Sequence, residues 1–323
     1  MNEQSVVVVG AGLIGLTTAV RLAEAGHRVE VFTADDPLRT TSTAATGMVG
    51  FGFSRPLEKA IGWRQSTVTE LSAQFGRGVG VRTQPGLLAG RDPFEAPKAF
   101  HSLPGFRIAE PAELPDGFRP GFWVDMIAVD LDRYLPYLVD RLRATGTVLT
   151  RTTVDDLAAI DAPVIVNCCG IGAKGLVDDP ELRADWGMHL IIENAVELQH
   201  HFMEMSSGLR RWISWMPHGD RILIGGASVL DRTDPAPDAT IAAELTGMLQ
   251  RTHPALASAP SIGVNAGVRP HRSAVRVEAT SLPDGRTLIH NYGHGGSGLT
   301  LSWGSADEVL TLVTDGHPTE RPD

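Results

Sequence analysis

The sequence predicts an α/β fold that begins with a unit of strand, glycine turn, helix and strand. The first observation is a continuous β-branched run at 6–9, which is typical of a parallel strand buried on both faces. The second is the G-x-G-x-x-G turn of Gly10, Gly12 and Gly15 directly after that run. The third is an apolar stripe at helical spacing, followed by a second predicted strand at 29–32.

Composition narrows the class of protein. The 323 residues include 28 Lys and Arg against 38 Asp and Glu, and the net charge of −10 argues against a nucleic-acid partner. Only two cysteines occur, Cys168 and Cys169, and they are adjacent, so no disulfide framework or thiolate metal cage is expected. The longest apolar stretch, 6–20, is broken by glycines and is too short for a membrane helix. A soluble, cytoplasmic protein is therefore expected.

The glycine turn has the features of a dinucleotide-binding site. Gly10 makes the tight turn, Gly12 lets the backbone approach a pyrophosphate, and Gly15 lets the helix pack closely on the strand. Leu13 and Ile14 open the helix, where exposed backbone N–H groups and the positive helix end favour a phosphate.

An acidic side chain follows at the spacing that a ribose contact requires. Asp35 lies 20 residues after Gly15, where its carboxylate can accept a hydrogen bond from a ribose hydroxyl and would repel a 2′-phosphate. Asp36 is adjacent and is the alternative acid.

Two further segments favour a flavin over a nicotinamide. The segment 40–47 is rich in hydroxyl groups and could lie along a pyrophosphate and ribityl chain. The segment 290–300 places several glycines before an apolar helical pattern, so backbone N–H groups there would face the negative N1–C2=O region of a reduced flavin. His290 and His294 are four residues apart, but glycines on both sides of His294 argue against a helix, and no third ligand is nearby. No metal site is predicted.

These blocks resemble the D-amino-acid oxidase family. The resemblance is carried, in family order, by the segments 6–16, 40–47, 166–170, 267–270 and 290–300. It implies a bound FAD and oxidation of a C–N bond next to a carboxylate. The cofactor-binding residues expected on these grounds are Gly10, Gly12, Leu13, Ile14, Gly15, Asp35, Thr40, Thr41, Ser42, Thr46, Gly47, Met48, Val154, Gly170, Gly295, Gly296, Ser297, Gly298, Leu299 and Thr300.

The resemblance also implies a Rossmann-type FAD-binding domain interleaved with a mixed-sheet α+β substrate domain. The FAD-binding domain would take residues 1–50, 130–181 and 269–323, and the substrate domain residues 51–129 and 182–268. Within the middle stretch we expect a helix at 131–145 and short strands around Val154 and at 164–167.

The implied chemistry asks for a carboxylate clamp and an amine acceptor. In the family the substrate's α-hydrogen leaves as hydride to flavin N5, so the protein supplies mainly orientation and electrostatics. Arg269 matches the clamp arginine, whose planar fork can hold a carboxylate at two points. Gly296 matches the position whose carbonyl accepts from the substrate amine, and Ser297 stands where the family often has tyrosine.

The chain departs from the family at two tyrosines. The positions that align with them are Arg210 and Ser214. Ser214 could still bond the carboxylate, Arg210 could meet a second anionic group, and Trp215 could form an aromatic wall. Alternatively, Arg210 lies in a solvated loop, and Trp212 and Trp215 belong to the core.

Three functions remain open at this stage. The first is FAD-dependent oxidation of a D-amino acid or close analogue to an imine, which water converts to a 2-oxo acid and ammonia, while O₂ is reduced to H₂O₂. The second is oxidation of a secondary amine or an N-substituted, including N–N-linked, glycine-like compound. The third is a flavin-binding protein without turnover, which Arg269 argues against because such a protein needs no carboxylate clamp. The partner in either enzymatic case is a small carboxylate-bearing molecule, and the oligomeric state stays open.

Overall fold

The computed structural model describes residues 3–50, 54–92, 94–206 and 208–315. The described helices are α1 (Leu13–Glu24), α2 (Leu57–Ser72), α3 (Leu131–Arg143), α4 (Ala239–Thr252), α5 (Pro254–Ala257) and α6 (Gly298–Asp315). The described strands are β1 (Ser5–Val9), β2 (Arg28–Thr33), β3 (Val81–Ala89), β4 (Arg107–Ile108), β5 (Gly121–Val129), β6 (Val148–Arg151), β7 (Val164–Asn167), β8 (Arg183–Glu193), β9 (His201–Glu204), β10 (Arg211–His218), β11 (Arg221–Ala227), β12 (Val229–Leu230), β13 (Ser261–Ser281) and β14 (Thr287–His294). The predicted domain limits at residues 1, 51 and 323 lie outside the described residues.

Five parallel strands form one half of a continuous sheet. Strand β1 pairs with β2 and β7, β2 pairs with β6, and β7 pairs with β14, all in parallel. The valines 6–9 of β1 are at most 5% exposed, because neighbouring strands and helices cover both faces. Helix α1 ends at Glu24, and Gly26, with φ of +91°, reverses the chain. The predicted strand–turn–helix–strand unit is therefore confirmed.

The other half of the sheet is mixed and largely antiparallel. Its strand order is β4-β5-β3-β9-β10-β11-β8-β13, with β3 and β9 parallel to each other. Strand β13 pairs with β8 on one side and with β14 on the other, so it joins the two halves. The predicted domain boundary between residues 268 and 269 falls inside this strand. The mixed α/β class is confirmed, while the division into two domains stays a prediction.

Separate apolar clusters support the two halves. In the parallel half, Leu16 of α1, Tyr134 of α3 and Trp303 of α6 are fully buried, and Trp303 Nε1 donates a hydrogen bond to Tyr134 Oη at 2.9 Å. In the mixed half, Trp215 stacks on Phe202 with ring centroids 4.3 Å apart. Strand β13 contributes to both clusters, with Val275 and Val277 in the first and Val268 in the second.

The middle stretch differs from the prediction in its boundaries. Helix α3 ends at Arg143 rather than at residue 145. The strand predicted around Val154 is β6, which ends at Arg151, where its pairing with β2 stops. Val154 therefore lies just beyond the carboxyl end of a parallel strand, where open α/β sheets bind ligands.

Candidate functional site

The glycine turn carries β1 into α1 without a side-chain cap. Gly10 has φ of +106°, and a Cβ on it would lie 2.5 Å from the carbonyl oxygen of Cys168. A Cβ on Gly15 would overlap the Gly10 carbonyl oxygen, so Gly15 lets the helix sit against the turn. Gly12 is the N-cap of α1 and offers no side-chain acceptor. The turn therefore has the tight, close-packed geometry that the sequence predicts.

The hydroxyl-rich segment 40–47 is fastened on both sides. Ser42 Oγ accepts a hydrogen bond from the Leu13 backbone N–H at 2.9 Å, which ties the segment to the first turn of α1. Nε2 of the buried His218 lies 2.8 Å from the Thr46 carbonyl oxygen. The segment is thus held between the start of α1 and β10 of the mixed half.

The second glycine-rich segment brings another helix N-terminus to the same place. A short 3₁₀ turn at Gly295–Ser297 joins β14 to α6, and no side chain caps it. Thr300 Oγ1 accepts a hydrogen bond from the Gly50 backbone N–H at 2.8 Å. The N-terminal ends of α1 and α6 border one cavity, so two positive helix ends face it.

At the far end of the cavity the structure selects Asp35 over Asp36. Asp35 lines the cavity, and its carboxylate lies 3.5 Å from Nη2 of Arg151. The Asp36 carboxylate instead accepts from the Leu38 backbone N–H and caps a short 3₁₀ turn. Asp35, and not Asp36, therefore lines the cavity, and its ribose contact stays a prediction.

One cavity of about 1170 Å³ connects these parts. Every predicted cofactor residue except Gly15 lines it, because Gly15 packs beneath the turn. The lining residues among those predicted are Gly10, Gly12, Leu13, Ile14, Asp35, Thr40, Thr41, Ser42, Thr46, Gly47, Met48, Val154, Gly170, Gly295, Gly296, Ser297, Gly298, Leu299 and Thr300. Arg269 and Ser214 line the same cavity.

Arg269 is held at the cavity wall by a carboxylate that the sequence analysis missed. Its strand position pairs directly with Asp185 across β13 and β8. Arg269 Nη1 donates to Asp185 Oδ2 and to the Ala227 carbonyl oxygen, both at 3.1 Å. A Cβ on Gly187 would overlap the guanidinium, so this glycine makes room for it. The period-two spacing of residues 185, 187 and 189 was the available signal, because such residues share one face of a strand.

The residues at the two missing-tyrosine positions lie differently from one another. Ser214 lines the cavity, but its hydroxyl donates to the Gly225 carbonyl oxygen at 2.8 Å, so that proton is not free for a substrate carboxylate. Arg210 is exposed in the segment before β10 and does not line the cavity. The second-anion role predicted for Arg210 is therefore corrected, because its backbone precedes the strand that reaches the site.

Of the two neighbouring tryptophans, Trp212 lines the cavity and Trp215 does not. Trp212 and Ser214 are two residues apart on β10 and both line the cavity, whereas Trp215 points to the opposite face and is buried in the core. A Cβ on Gly226 would overlap the Trp212 ring, and the Arg269 guanidinium carbon lies 6.0 Å from the centre of that ring. The prediction for Trp215 is wrong because side chains alternate along a strand.

Two buried histidines border the cavity in neutral form. Burial, followed by the charge of Arg269, lowers the pKa of His189 to about 3. Burial lowers the pKa of His294 to about 3. His189 forms a hydrogen bond with the Ala44 backbone, while its Nδ1 is buried without a partner. Both ring nitrogens of His294 are buried without a partner among the described residues. Such atoms beside a cavity indicate a polar ligand.

The described residues contain no group of three or more His, Cys, Asp or Glu side chains placed to hold a metal ion. Within the same part of the chain, no helix is long and apolar enough to cross a membrane.

The lining of the cavity fits FAD. Gly12 leaves the backbone bare where a pyrophosphate could approach, the N-terminal ends of α1 and α6 border the cavity and favour negative charge, and Asp35 lines the same cavity. The unpartnered nitrogens of His189 and His294 lie along the same cavity, where a polar ring system would meet them. Fold and cavity together are those of a dinucleotide-binding protein whose cavity fits a flavin.

Comparisons with known proteins identify the family of this chain. The chain belongs to the family of FAD dependent oxidoreductases, which matches residues 5–312. It is 38% identical to a D-amino-acid oxidase from Streptomyces coelicolor, over 97% of this chain and 98% of that protein. It is 35% identical to a D-amino-acid oxidase from Rubrobacter xylanophilus, over 95% of each chain. The structure of glycine oxidase from Geobacillus kaustophilus is similar in fold, with a TM-score of 0.81 at 18% identity, over 99% of this chain and 96% of that one.

Proposed function

We propose that this protein is an FAD-dependent oxidase of D-amino acids. The substrate would lose two electrons and two protons across its Cα–N bond to become an imine, and water would convert the imine to a 2-oxo acid and ammonia. Dioxygen is the proposed final acceptor, reduced to hydrogen peroxide. Two relatives named D-amino-acid oxidase, at 38% and 35% identity over nearly the whole chain, support this reaction. A cytoplasmic location stays a prediction.

One observation carries the proposal: Arg269 opens onto the cavity that the glycine turn borders, with part of its guanidinium free. Within the described residues, the hydrogen bonds that Arg269 donates all come from Nη1. Nε and Nη2 are therefore left to bind a carboxylate at two points. Arg269 would hold the substrate's acid group and so orient its α-carbon.

The neighbouring residues favour the same arrangement. A Cβ on Gly296 would lie 3.9 Å from Cδ of Arg269, so the Gly296 backbone lies beside the clamp, where its carbonyl could accept from the substrate amine. His189 and His294 stay uncharged at neutral pH because burial lowers both pKa values. When bound, FAD would supply the two-electron oxidising power of the reaction. The chain's own part is to hold, align and shield the reactant.

The first prediction tests the clamp. Arg269→Ala should lower kcat/KM for D-amino acids by a factor that corresponds to a loss of about 2–5 kcal/mol of transition-state binding. The reason is that the substitution removes the half-buried charge partner of the substrate carboxylate. The kcat/KM of Arg269→Lys should lie between those of Arg269→Ala and the wild type, since lysine keeps the positive charge but lacks the planar guanidinium that binds a carboxylate at two points. The measurement is anaerobic reduction of the bound flavin, followed by its absorbance, with D- and L-amino acids.

Arg143→Ala is the matched control, because Arg143 is an exposed arginine on α3 outside the cavity. An Arg269→Ala enzyme with unchanged turnover would contradict the clamp. If N-substituted glycines reduce the flavin and D-amino acids do not, the result would favour secondary-amine oxidation instead. A flavin that no carboxylate-bearing amine reduces would indicate a protein without turnover.

A further inference from the structure

The charged groups that line the cavity are unequally distributed. Among the described lining residues, Arg269 is the one Lys or Arg side chain, whereas Asp35, Asp155 and Asp185 are all acids. Asp35 and Asp155 follow the ends of β2 and β6, at the ribose end, while Asp185 lies beside the clamp. The substrate end of the lining therefore contains one cation and one carboxylate.

Asp185 is fixed in that wall independently of any substrate. Its Oδ1 accepts a hydrogen bond from Ser228 Oγ at 2.6 Å, and its Oδ2 accepts from Arg269 Nη1 at 3.1 Å. Its side chain is 14% exposed. Because a substrate carboxylate can use Nε and Nη2 of Arg269, it need not displace Asp185. The carboxylate of Asp185 would remain in the wall when the substrate is bound.

Two other polar side chains in the cavity lining, those of Ser214 and His189, also offer acceptors. The Ser214 hydroxyl proton is taken by the Gly225 carbonyl, so Ser214 Oγ offers lone pairs. His189 is neutral, and its bond to the Ala44 backbone leaves the buried, unpartnered Nδ1 as an acceptor. Arg210, which could have supplied a second cation, lies outside the cavity.

The charge balance then depends on the substrate side chain. Arg269, Asp185 and the substrate's own carboxylate together carry one net negative charge. A cationic side chain brings that sum to zero, whereas an acidic side chain makes it −2. In a half-buried site, like charges at short range are costly and opposite charges are favourable.

Resting on the proposed function, we infer that Asp185 determines substrate charge specificity. It makes the site favour amino acids that carry a cationic group beyond the α-carbon and disfavour dicarboxylic ones. The Asp185 carboxylate acts here both by attracting one class and by repelling the other, which is how a site gains selectivity rather than affinity alone.

The first experiment compares three D-amino acids of similar length and different side-chain charge: D-lysine, D-norleucine and D-2-aminoadipate. For the wild type, kcat/KM should fall in that order. Asp185→Asn keeps the shape of the side chain and removes its charge. It should lower the ratio of kcat/KM for D-lysine to kcat/KM for D-2-aminoadipate by at least about tenfold. A merely structural role in holding Arg269 would lower kcat/KM for all three alike and leave the ratio unchanged, which would overturn the inference.

Asp231→Asn is the matched control. Asp231 pairs with Arg183, is exposed and lies outside the cavity lining, so the same loss of charge should leave the ratio unchanged. An equal change of the ratio in both variants would show a general charge effect and contradict the assignment to Asp185.

A second experiment needs no variant and no turnover. Binding of 5-aminopentanoate, pentanoate and glutarate to the wild-type holoprotein is measured by perturbation of the flavin spectrum. We expect the tightest Kd for 5-aminopentanoate and the weakest for glutarate, and the reverse order would overturn the inference. If these acids bind in the expected order but no D-amino acid reduces the flavin, the proposed reaction fails while the charge preference of the site stands, and the same titration of Asp185→Asn then tests its assignment to Asp185.

Discussion

At the scale of single residues, a few glycines decide where the cavity can be. Gly47 adopts φ of +84°, and a Cβ on it would overlap the Val129 carbonyl oxygen, so this turn of the cofactor segment requires glycine. Gly12 differs, since its φ of −71° suits any residue and a Cβ there would lie 3.2 Å from Ser42 Oγ. Glycine at position 47 is required by the backbone conformation, whereas glycine at position 12 leaves space next to the expected ligand.

A second prediction follows from that contrast. Gly12→Ala should leave the apoprotein folded with nearly unchanged Tm, because its backbone conformation allows a Cβ. It should weaken FAD binding by about 1–3 kcal/mol, the usual cost of an added methyl group in a packed contact. The measurement is titration of the apoprotein with FAD, followed by quenching of flavin fluorescence.

Gly62→Ala serves as its control, because Gly62 is exposed on α2 with open space around it and does not line the cavity. That substitution should stabilise the helix slightly and leave FAD affinity unchanged. An affinity of Gly12→Ala equal to that of the wild type would contradict the predicted approach of the pyrophosphate.

At the scale of elements, the close contact of α2 and α6 supports the second glycine-rich segment. A Cβ on Gly304 would overlap the Trp63 backbone, so the two helices touch at this point without side chains between them. Trp63 Nε1 also donates to Glu308 Oε2 at 2.7 Å, one turn further along α6. This contact fixes the direction of α6, whose N-terminus faces the cavity.

The third prediction concerns that helix contact. Gly304→Ala should lower the free energy of unfolding by about 1–3 kcal/mol, because overpacking pushes α2 and α6 apart. Urea unfolding followed by circular dichroism measures the change. Gly247→Ala on α4 is the comparison, since a Cβ there meets only the end of the flexible Arg251 side chain at 3.5 Å. Equal stability of the two variants would show that the helices adjust without cost.

At the scale of the whole molecule, the site exists where the two halves of the sheet meet. Strand β13 pairs with β8 of the mixed half and with β14 of the parallel half. Arg269 therefore stands on the strand that joins the two halves. Across both halves, buried histidines are kept neutral, and burial lowers the pKa of His201 to about 3 and of His290 to about 4.

The fourth prediction is a dependence of stability on pH. A histidine whose folded pKa lies below its ordinary 6.5 binds its proton more readily in the unfolded chain. Its contribution is therefore present above pH 6.5 and is lost as the pH falls toward the folded value near 3. His201→Leu should remove a slope of about 1 kcal/mol per pH unit between pH 6 and pH 5, measured by urea unfolding at each pH.

His201 is suited to this test because it is 1% exposed and lies outside the cavity lining, and in the part of the chain that the structure describes neither of its ring nitrogens has a partner. His101→Leu, at an exposed position, is the control and should leave the slope unchanged. A wild-type slope in the His201→Leu variant would show that this ring does not stay neutral in the folded protein.

The sequence by itself determined the local parts of the site. The glycine turn, the helix after it, the hydroxyl-rich segment and the final glycine segment are each short and contiguous, and their geometry follows from residue type and spacing. Arg269 was also predictable, because it stands in a recognisable Gly-Val-Arg-Pro block. Such features need only local backbone conformation to be interpreted.

Only the tertiary structure decided what surrounds the clamp. Asp185 reaches Arg269 through the register of β8 with β13, a pairing between residues 84 positions apart. Trp212 replaces Trp215 because the face of β10 that meets the cavity is set by the neighbouring strands. Register and facing depend on long-range pairing, which one sequence does not encode in any local pattern, and the charge at the substrate end depends on both.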